Sequence, residues 1–189
     1  MSSILEGLSL RMGGLEWQCL AVVADRALYI TKDIVEMRAY HAPGGDITWE
    51  YCTLRQYLNG KFLRRFSPQE QTAIVETTLA NDNNPQYNTY GGNATKDKVF
   101  LLSVAEANTY FGSASERAAK FNNDGYRWKL RPPGNNQDAA AFVDWWLRSP
   151  GNDQDAAAFV DYHGFVTLCG SSVNYGSACG VRPALWLRL

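Results

Sequence analysis

Four cysteines, two histidines and a recurring set of aspartates are the residues of this 189-residue chain best equipped for chemistry. Cys19, Cys52, Cys169 and Cys179 show no C-x-x-C spacing, so they do not read as a zinc site. They read as buried or half-buried free thiols. A Cys169–Cys179 disulfide is the alternative, and it would staple the C-terminal segment in an oxidising compartment. His41 and His163 are far apart and have no metal partner beside them in sequence. Asp138, Asp144, Asp155 and Asp161 recur because the chain repeats itself, so their pairing does not argue for acid–base catalysis. No catalytic residue, metal ligand or cofactor site is assigned.

A second kind of chemistry, recognition, is written into the last forty-five residues. Two rigid blocks, Trp145-Trp146-Leu147-Arg148-Ser149-Pro150-Gly151 and Gly180-Val181-Arg182-Pro183-Ala184-Leu185-Trp186, enclose a soft filling. The filling, Tyr162 to Cys179, is mostly Gly, Ser, Tyr, Asn, Cys, His and Thr. Binding surfaces favour that mixture: Tyr gives large contact area at low entropy cost, and Ser, Gly and Asn adapt their hydrogen bonds. The candidate ligand-binding residues are Asn152, Asp153, Gln154, Tyr162, His163, Phe165, Thr167, Ser171, Ser172, Asn174, Tyr175 and Ser177. Tyr162 and Tyr175 are the expected anchors. A protein or a cell-surface polymer is the expected ligand. Arg148 and Arg182 sit among apolar neighbours and read as structural, bonding backbone carbonyls or a buried carboxylate.

Composition bounds the alternatives. The chain is 46% hydrophobic and 20% charged, ordinary for a single globular domain. A net charge of -1 gives no electrostatic footprint for nucleic acid. No apolar run approaches the ~20 residues of a membrane helix, so no membrane insertion is expected. Met1 to Gly13 lacks the basic start and apolar core of a secretion signal.

The elements that must position these residues are short. Leu15 to Val23 and Ala27 to Thr31 read as a hairpin across the turn Ala24-Asp25-Arg26. His41 to Thr48, with Pro-Gly-Gly, is a loop. Thr53 is expected to cap a helix through Leu54, Tyr57, Leu58, Phe62 and Leu63. Ser67-Pro68-Gln69-Glu70 and Ser103-Val104-Ala105-Glu106 are capping boxes, each opening a short helix. Leu79 to Lys96 is polar and reads as a long surface loop, a class that is often functional. Val99 to Leu102 reads as a strand, and Ser115 to Phe121 as a further helix. Ala157 to Val160 and Phe165 to Leu168 read as a second hairpin turning at His163-Gly164. The class is α+β.

Trp128 to Asp144 and Trp145 to Asp161 are tandem near copies, identical at 14 of 17 positions. They differ at Lys129/Trp146, Pro132/Ser149 and Asn136/Asp153. Two copies are too few for a solenoid. A local duplication, with residues 128–144 as a tolerated insertion, is the simplest account; two equivalent strands of one sheet are the alternative.

The two C-terminal blocks, with Val160, Gly164, Val166 and Val173 between them, resemble a bacterial and phage domain family. Leu15-Glu16-Trp17, Trp49-Glu50, Leu54-Arg55-Gln56-Tyr57-Leu58-Asn59 and Asp97-Lys98-Val99-Phe100-Leu101-Leu102-Ser103 fit the same pattern. Members of that family are similar to the C-type lectin-like variable proteins diversified by retroelements. In such systems the affected codons scatter among Asn, Tyr, Ser, Asp, His, Cys, Gly and Thr. The resemblance implies a C-type lectin-like fold: a small irregular antiparallel sheet, short helices, and paired N- and C-terminal strands. Trp186 and Leu185 would then pack with Trp17 and Leu20. It implies a receptor- or adhesin-type binding protein at a cell surface or on a phage virion, with residues 145–189 as the variable region. The Glu-Pro-Asn, Gln-Pro-Asp and Trp-Asn-Asp motifs of calcium-dependent sugar lectins are missing. The other readings are a structural or assembly domain of a phage tail or surface layer, with the Tyr/Asn/Ser face as an oligomer interface, and a formylglycine-generating-type oxidase. The oxidase needs a close cysteine pair that Cys169 and Cys179 do not match.

Overall fold

The computed structural model of the chain describes residues 9–121, 141–175 and 179–189. Two five-stranded sheets and a few short helices share one hydrophobic core, an α+β arrangement. Among the described residues there are thus two five-stranded sheets and two two-stranded ones, where one small sheet was expected.

The first sheet begins with β1 (Ser9–Met12), β2 (Leu15–Val23) and β3 (Arg26–Thr31), joined in antiparallel hairpins. The chain then crosses to β4 (Glu36–Met37), an edge of the second sheet. A helical stretch follows: α1 (Thr53–Tyr57), a π-helical turn (Leu58–Phe62) and a 3₁₀ turn (Leu63–Arg65). It buries Leu54, Leu58 and Phe62 at four-residue intervals. Its cap is Cys52, one residue before the expected Thr53; the thiol accepts the Arg55 amide at 3.4 Å. Both capping boxes form as expected, opening α2 (Pro68–Ala73) and, further on, α3 (Val104–Tyr110).

β5 (Ile74–Val75) is the far edge of the first sheet. β6 (Thr77–Leu79) pairs with β7 (Thr95–Asp97) and closes the base of the polar loop. Val99 to Leu102 is fully buried but is not a strand; only Phe100 bridges, to Ala184. Its backbone is divided between neighbours, since Leu102 accepts the Arg148 amide. The helix expected at Ser115 to Phe121 is shorter and earlier: α4 (Ala114–Arg117), capped by Ser113, gives way to β8 (Lys120–Phe121).

β8 pairs with β9 (Ala141–Phe142), in the first repeat copy. The matching residues of the second copy lie in β11 (Ala156–Val160), inside the second five-stranded sheet. That sheet runs β12 (Val166–Ser172), β11, β10 (Trp145–Pro150), β13 (Gly180–Val181), β4. Only β10 and β13 pair in parallel within it. β14 (Ala184–Arg188) returns to the first sheet between β3 and β5, so the N-terminal hairpin and the C-terminal strand do meet. Trp186 lies opposite Leu28, whereas Trp17 lies opposite Thr31. The two indoles are therefore at different levels: Trp17 packs on Phe66, and Trp186 under the Arg26 guanidinium.

Two of the crossings between the sheets run side by side, at Lys32–Val35 and at Arg182–Pro183, where the Thr31 amide donates to the Pro183 carbonyl and the Val35 amide to the Val181 carbonyl. Arg182 clamps that crossing. It is 1% exposed and donates to the carbonyls of Thr31 (2.9 Å), Lys32 (3.2 Å) and Arg117 (3.0 Å). Its guanidinium stacks over Trp145 and Phe111. Burial draws its pKa down to about 10, partly opposed by the Asp33 charge, so it stays cationic at neutral pH. Arg148 does the same for β10: it donates to Leu101 and Ala80 carbonyls and pairs with the Glu106 carboxylate. Both arginines are structural.

Candidate functional site

The framing blocks and the filling separate by burial. All six residues of β10 are buried, as are Gly180 to Leu187. The indole N–H groups of Trp145 and Trp146 are satisfied by the carbonyls of Arg117 and Arg38. By contrast, Asn152, Asp153, Tyr162, His163, Phe165, Ser172, Asn174 and Tyr175 are exposed. Gln154, Thr167 and Ser171 are half-buried. Ser177 lies outside the described residues.

β12 holds these residues apart as two groups, one at each of its ends, roughly 20 Å from one another at about 3.3 Å per residue. At one end is the turn from β11 to β12. Asp161 accepts the His163 and Phe165 amides at 2.9 and 2.8 Å, and Asp144 accepts the Tyr162 amide at 2.8 Å. Burial raises the Asp144 pKa, with the Asp161 charge adding to it against the Tyr162 amide. These carboxylates are occupied in building the turn. Gly164 has φ +87° and lies so close to the Ala114 carbonyl of α4 that a side chain would collide with it. The turn is thereby docked, and Tyr162, His163 and Phe165 project from it, the first two rings 3.9 Å apart.

At the other end, β12 meets three loops. Gly170, with φ +76°, lets a bulge pass over the Ala157 carbonyl. Asn152 donates its amide to Cys169, and Val173 donates to Asp155. The loop 41–51 joins through His41 N–H to the Val173 carbonyl (2.8 Å), and Gly44 faces Asn174. Gln154, expected to meet ligand, is also a tie between loops. Its carbonyl accepts the Ile47 amide, and its side-chain amide donates to Ile47 (2.9 Å) and Tyr90 (3.0 Å).

The loop 80–94 is held against this end by Asn84, a residue that composition does not distinguish from the other asparagines. Asn84 is buried. Its Nδ2 donates to the carbonyls of Pro150, Gly151 and Leu168, and its Oδ1 accepts the amides of Gln86 and Tyr87. Thr89 Oγ1 adds a bond to the Asn152 carbonyl. Tyr51, Tyr87 and Tyr90 are exposed beside the predicted residues. For Tyr87 and Tyr90 the sequence signal was the long polar loop itself, whose Asn, Gly and Tyr content matches the filling, whereas Tyr51 carried none.

None of the four cysteines is in a disulfide; Cys169 is exposed and the others are buried. The alternative of a Cys169–Cys179 disulfide is thus not realised. His41 Nδ1 accepts the Thr53 amide. Among the described residues no group of three or more His, Cys, Asp and Glu is placed to hold a metal. No described helix is long and apolar enough to cross a membrane.

Residues 24–189 match the family described as Domain of unknown function (DUF6273). No curated protein and no solved structure matches the chain.

Proposed function

We propose that this chain, which belongs to the DUF6273 family, is a ligand-binding module: a receptor- or adhesin-type variable protein on a C-type lectin-like scaffold. The observation that carries the reading is the division of the C-terminal region. Trp145 to Pro150 and Gly180 to Leu187 are buried throughout, while eight of the eleven described candidate residues between and beside them are exposed. The exposed set is rich in the side chains that make adaptable contact surfaces, with Tyr162, Phe165 and Tyr175 as large anchors. Its ligand is a protein or cell-surface polymer.

The test is an array of bacterial surface proteins and glycans probed with the full chain. Tyr162→Ala combined with Tyr175→Ala should abolish the binding found there. Surface changes of this kind cost within about 0.5 kcal/mol each, so the unfolding temperature should move by no more than about 4 °C. Retained binding in the double variant would refute the assignment of these anchors. The two single variants then say which end of β12 makes the contact. The retroelement origin has its own test: a reverse transcriptase gene nearby, with a near copy of the C-terminal codons differing at adenines.

A further inference from the structure

We infer that the binding face is the loop-rich end of β12 and that it takes a protein segment bearing Lys and Arg. The inference rests on the binding-module reading and narrows it to one end and one partner chemistry.

Segments 41–51, 80–94, 151–155 and 172–175 form one surface, because hydrogen bonds tie each to its neighbours. Gln154 links the first three, and Asn93 Nδ2 reaches Glu50. The His41 amide holds the fourth. Four of the five exposed tyrosines among the described residues lie on it: Tyr51, Tyr87, Tyr90 and Tyr175, at 61, 43, 54 and 57% exposure. The neighbouring Glu50 carboxylate raises the Tyr51 pKa, with burial and then Tyr90 adding less. Large exposed aromatic side chains gathered on mutually tied loops of a folded domain mark a place where something docks.

The charge says what. These segments hold Asp46, Glu50, Asp82, Asp153 and Asp155 and not one Lys or Arg. Among the described residues that leaves eleven acidic residues elsewhere to set against fifteen basic ones. A net charge of -1 therefore conceals a polarised molecule, whose tyrosine face is negative and whose remainder is positive. Tyrosine rings interleaved with carboxylates attract ammonium and guanidinium groups twice over, through the ring quadrupole and through charge. The positive remainder turns an approaching basic partner toward this face.

The experiment selects a phage-displayed random peptide library on the immobilised full chain. Selected peptides should be enriched in Lys and Arg, and their affinity should fall several-fold as salt rises from 50 to 500 mM. Tyr87→Ala with Tyr90→Ala, which touches none of the predicted filling, should weaken them at least tenfold. Tyr87→Phe with Tyr90→Phe keeps the rings and should retain most of the binding, which separates ring loss from misfolding. Neutral or acidic peptides, or peptides sensitive to Tyr162 and Phe165 but not to Tyr87 and Tyr90, would overturn this inference while leaving the binding module intact. Binding of uncharged glycans at this face with no basic peptide selected would overturn it too. Failure of every array ligand and every peptide would remove both readings.

Discussion

Asn84 is the residue on which the loop 80–94 depends, and its removal has calculable consequences. Its side chain makes the equivalent of four hydrogen bonds, two Nδ2 protons shared among three carbonyls and two amides accepted at Oδ1, with donor–acceptor distances between 2.8 and 3.1 Å. At about 1 kcal/mol net for each, less what water recovers at the half-buried Gln86 and Tyr87 amides, Asn84→Ala should cost about 3–4 kcal/mol. For a domain of this size that lowers the unfolding temperature by about 6–16 °C if the loss is global. If the loop instead opens by itself, the Gln86 and Tyr87 amides lose protection from hydrogen exchange while the global transition moves less. Asn84→Asp is the sharper variant. It keeps an acceptor for the two amides but turns a carboxylate toward three carbonyl oxygens, so at pH 7 it should be less stable than Asn84→Ala. Burial against acceptors raises the pKa of that carboxyl above its unfolded value. Its protonated form donates one bond, so the variant regains stability as the pH falls toward the ordinary Asp value of about 3.9 and loses it again as the pH rises. Thermal unfolding at pH 7 and pH 4, with amide exchange, reads all of this. An Asn84→Asp protein as stable as the native chain at pH 7, or unchanged exchange at Gln86 and Tyr87 in both variants, would refute the reasoning.

Arg182→Lys should cost about 2–4 kcal/mol, because one ammonium cannot reach the Thr31, Lys32 and Arg117 carbonyls together and leaves buried acceptors unpaired. Chemical denaturation measures it, and loss of binding at unchanged stability would instead make Arg182 a ligand residue. A thiol reagent added to the native protein should modify one cysteine quickly, Cys169. Cys19, Cys52 and Cys179 are buried, and burial pushes the Cys52 pKa up to about 12 and that of Cys179 well above its usual value. Two fast thiols under native conditions would contradict the burial pattern. Asp144→Asn keeps an acceptor for the Tyr162 amide and removes a charge that burial disfavours. The folded-state pKa of Asp144 is raised, so its favourable protonated state is lost as the pH rises. The variant should therefore be slightly more stable than the native chain at pH 7, and the gain should vanish below the ordinary value of 3.8. A lower unfolding temperature at pH 7 would show that the carboxylate's charge is what the turn needs.

The parts legible in the sequence are those whose determinants are local. Ser67 and Ser103 each meet a Glu three residues on, and both caps form. The hairpins β2–β3 and β11–β12 are announced by apolar runs broken at turns. Arg148 and Arg182, set among Trp, Leu, Pro and Val, could only be buried with partners, and they are. The misread elements depend on partners distant in sequence. Val99 to Leu102 has the composition of a strand, but its neighbours on either side are Arg148 and Ala184, and neither offers a continuous ladder. Cys52 rather than Thr53 caps α1 because Thr53 Oγ1 accepts the Ala42 amide instead. The twelve candidate residues lie in one stretch of chain, whereas the loops 41–51 and 80–94 reach the same surface only through the fold. Gln154 illustrates the limit: its type suits recognition, and only the positions of Ile47 and Tyr90 make it a tie.

The distribution of folding energy explains why the filling can carry so unusual a composition. Trp145, Trp146, Leu147, Val181 and Leu185 are fully buried, and side chains of this size contribute about 1.5–3 kcal/mol each on burial. β12, by contrast, has no fully buried residue among its seven. It contributes mainly backbone hydrogen bonds to β11, and those are made by any residue other than proline. Exchange at Thr167, Ser171 or Ser172 therefore alters the surface while leaving the largest stabilising terms in place. The exceptions are conformational. Gly164 and Gly170 hold positive φ with backbone pressed against them, and a side chain at either would undo the turn or the bulge. A surface that tolerates exchange around two required glycines, on strands held by buried tryptophans and arginines, can change what it contacts without changing how the chain folds.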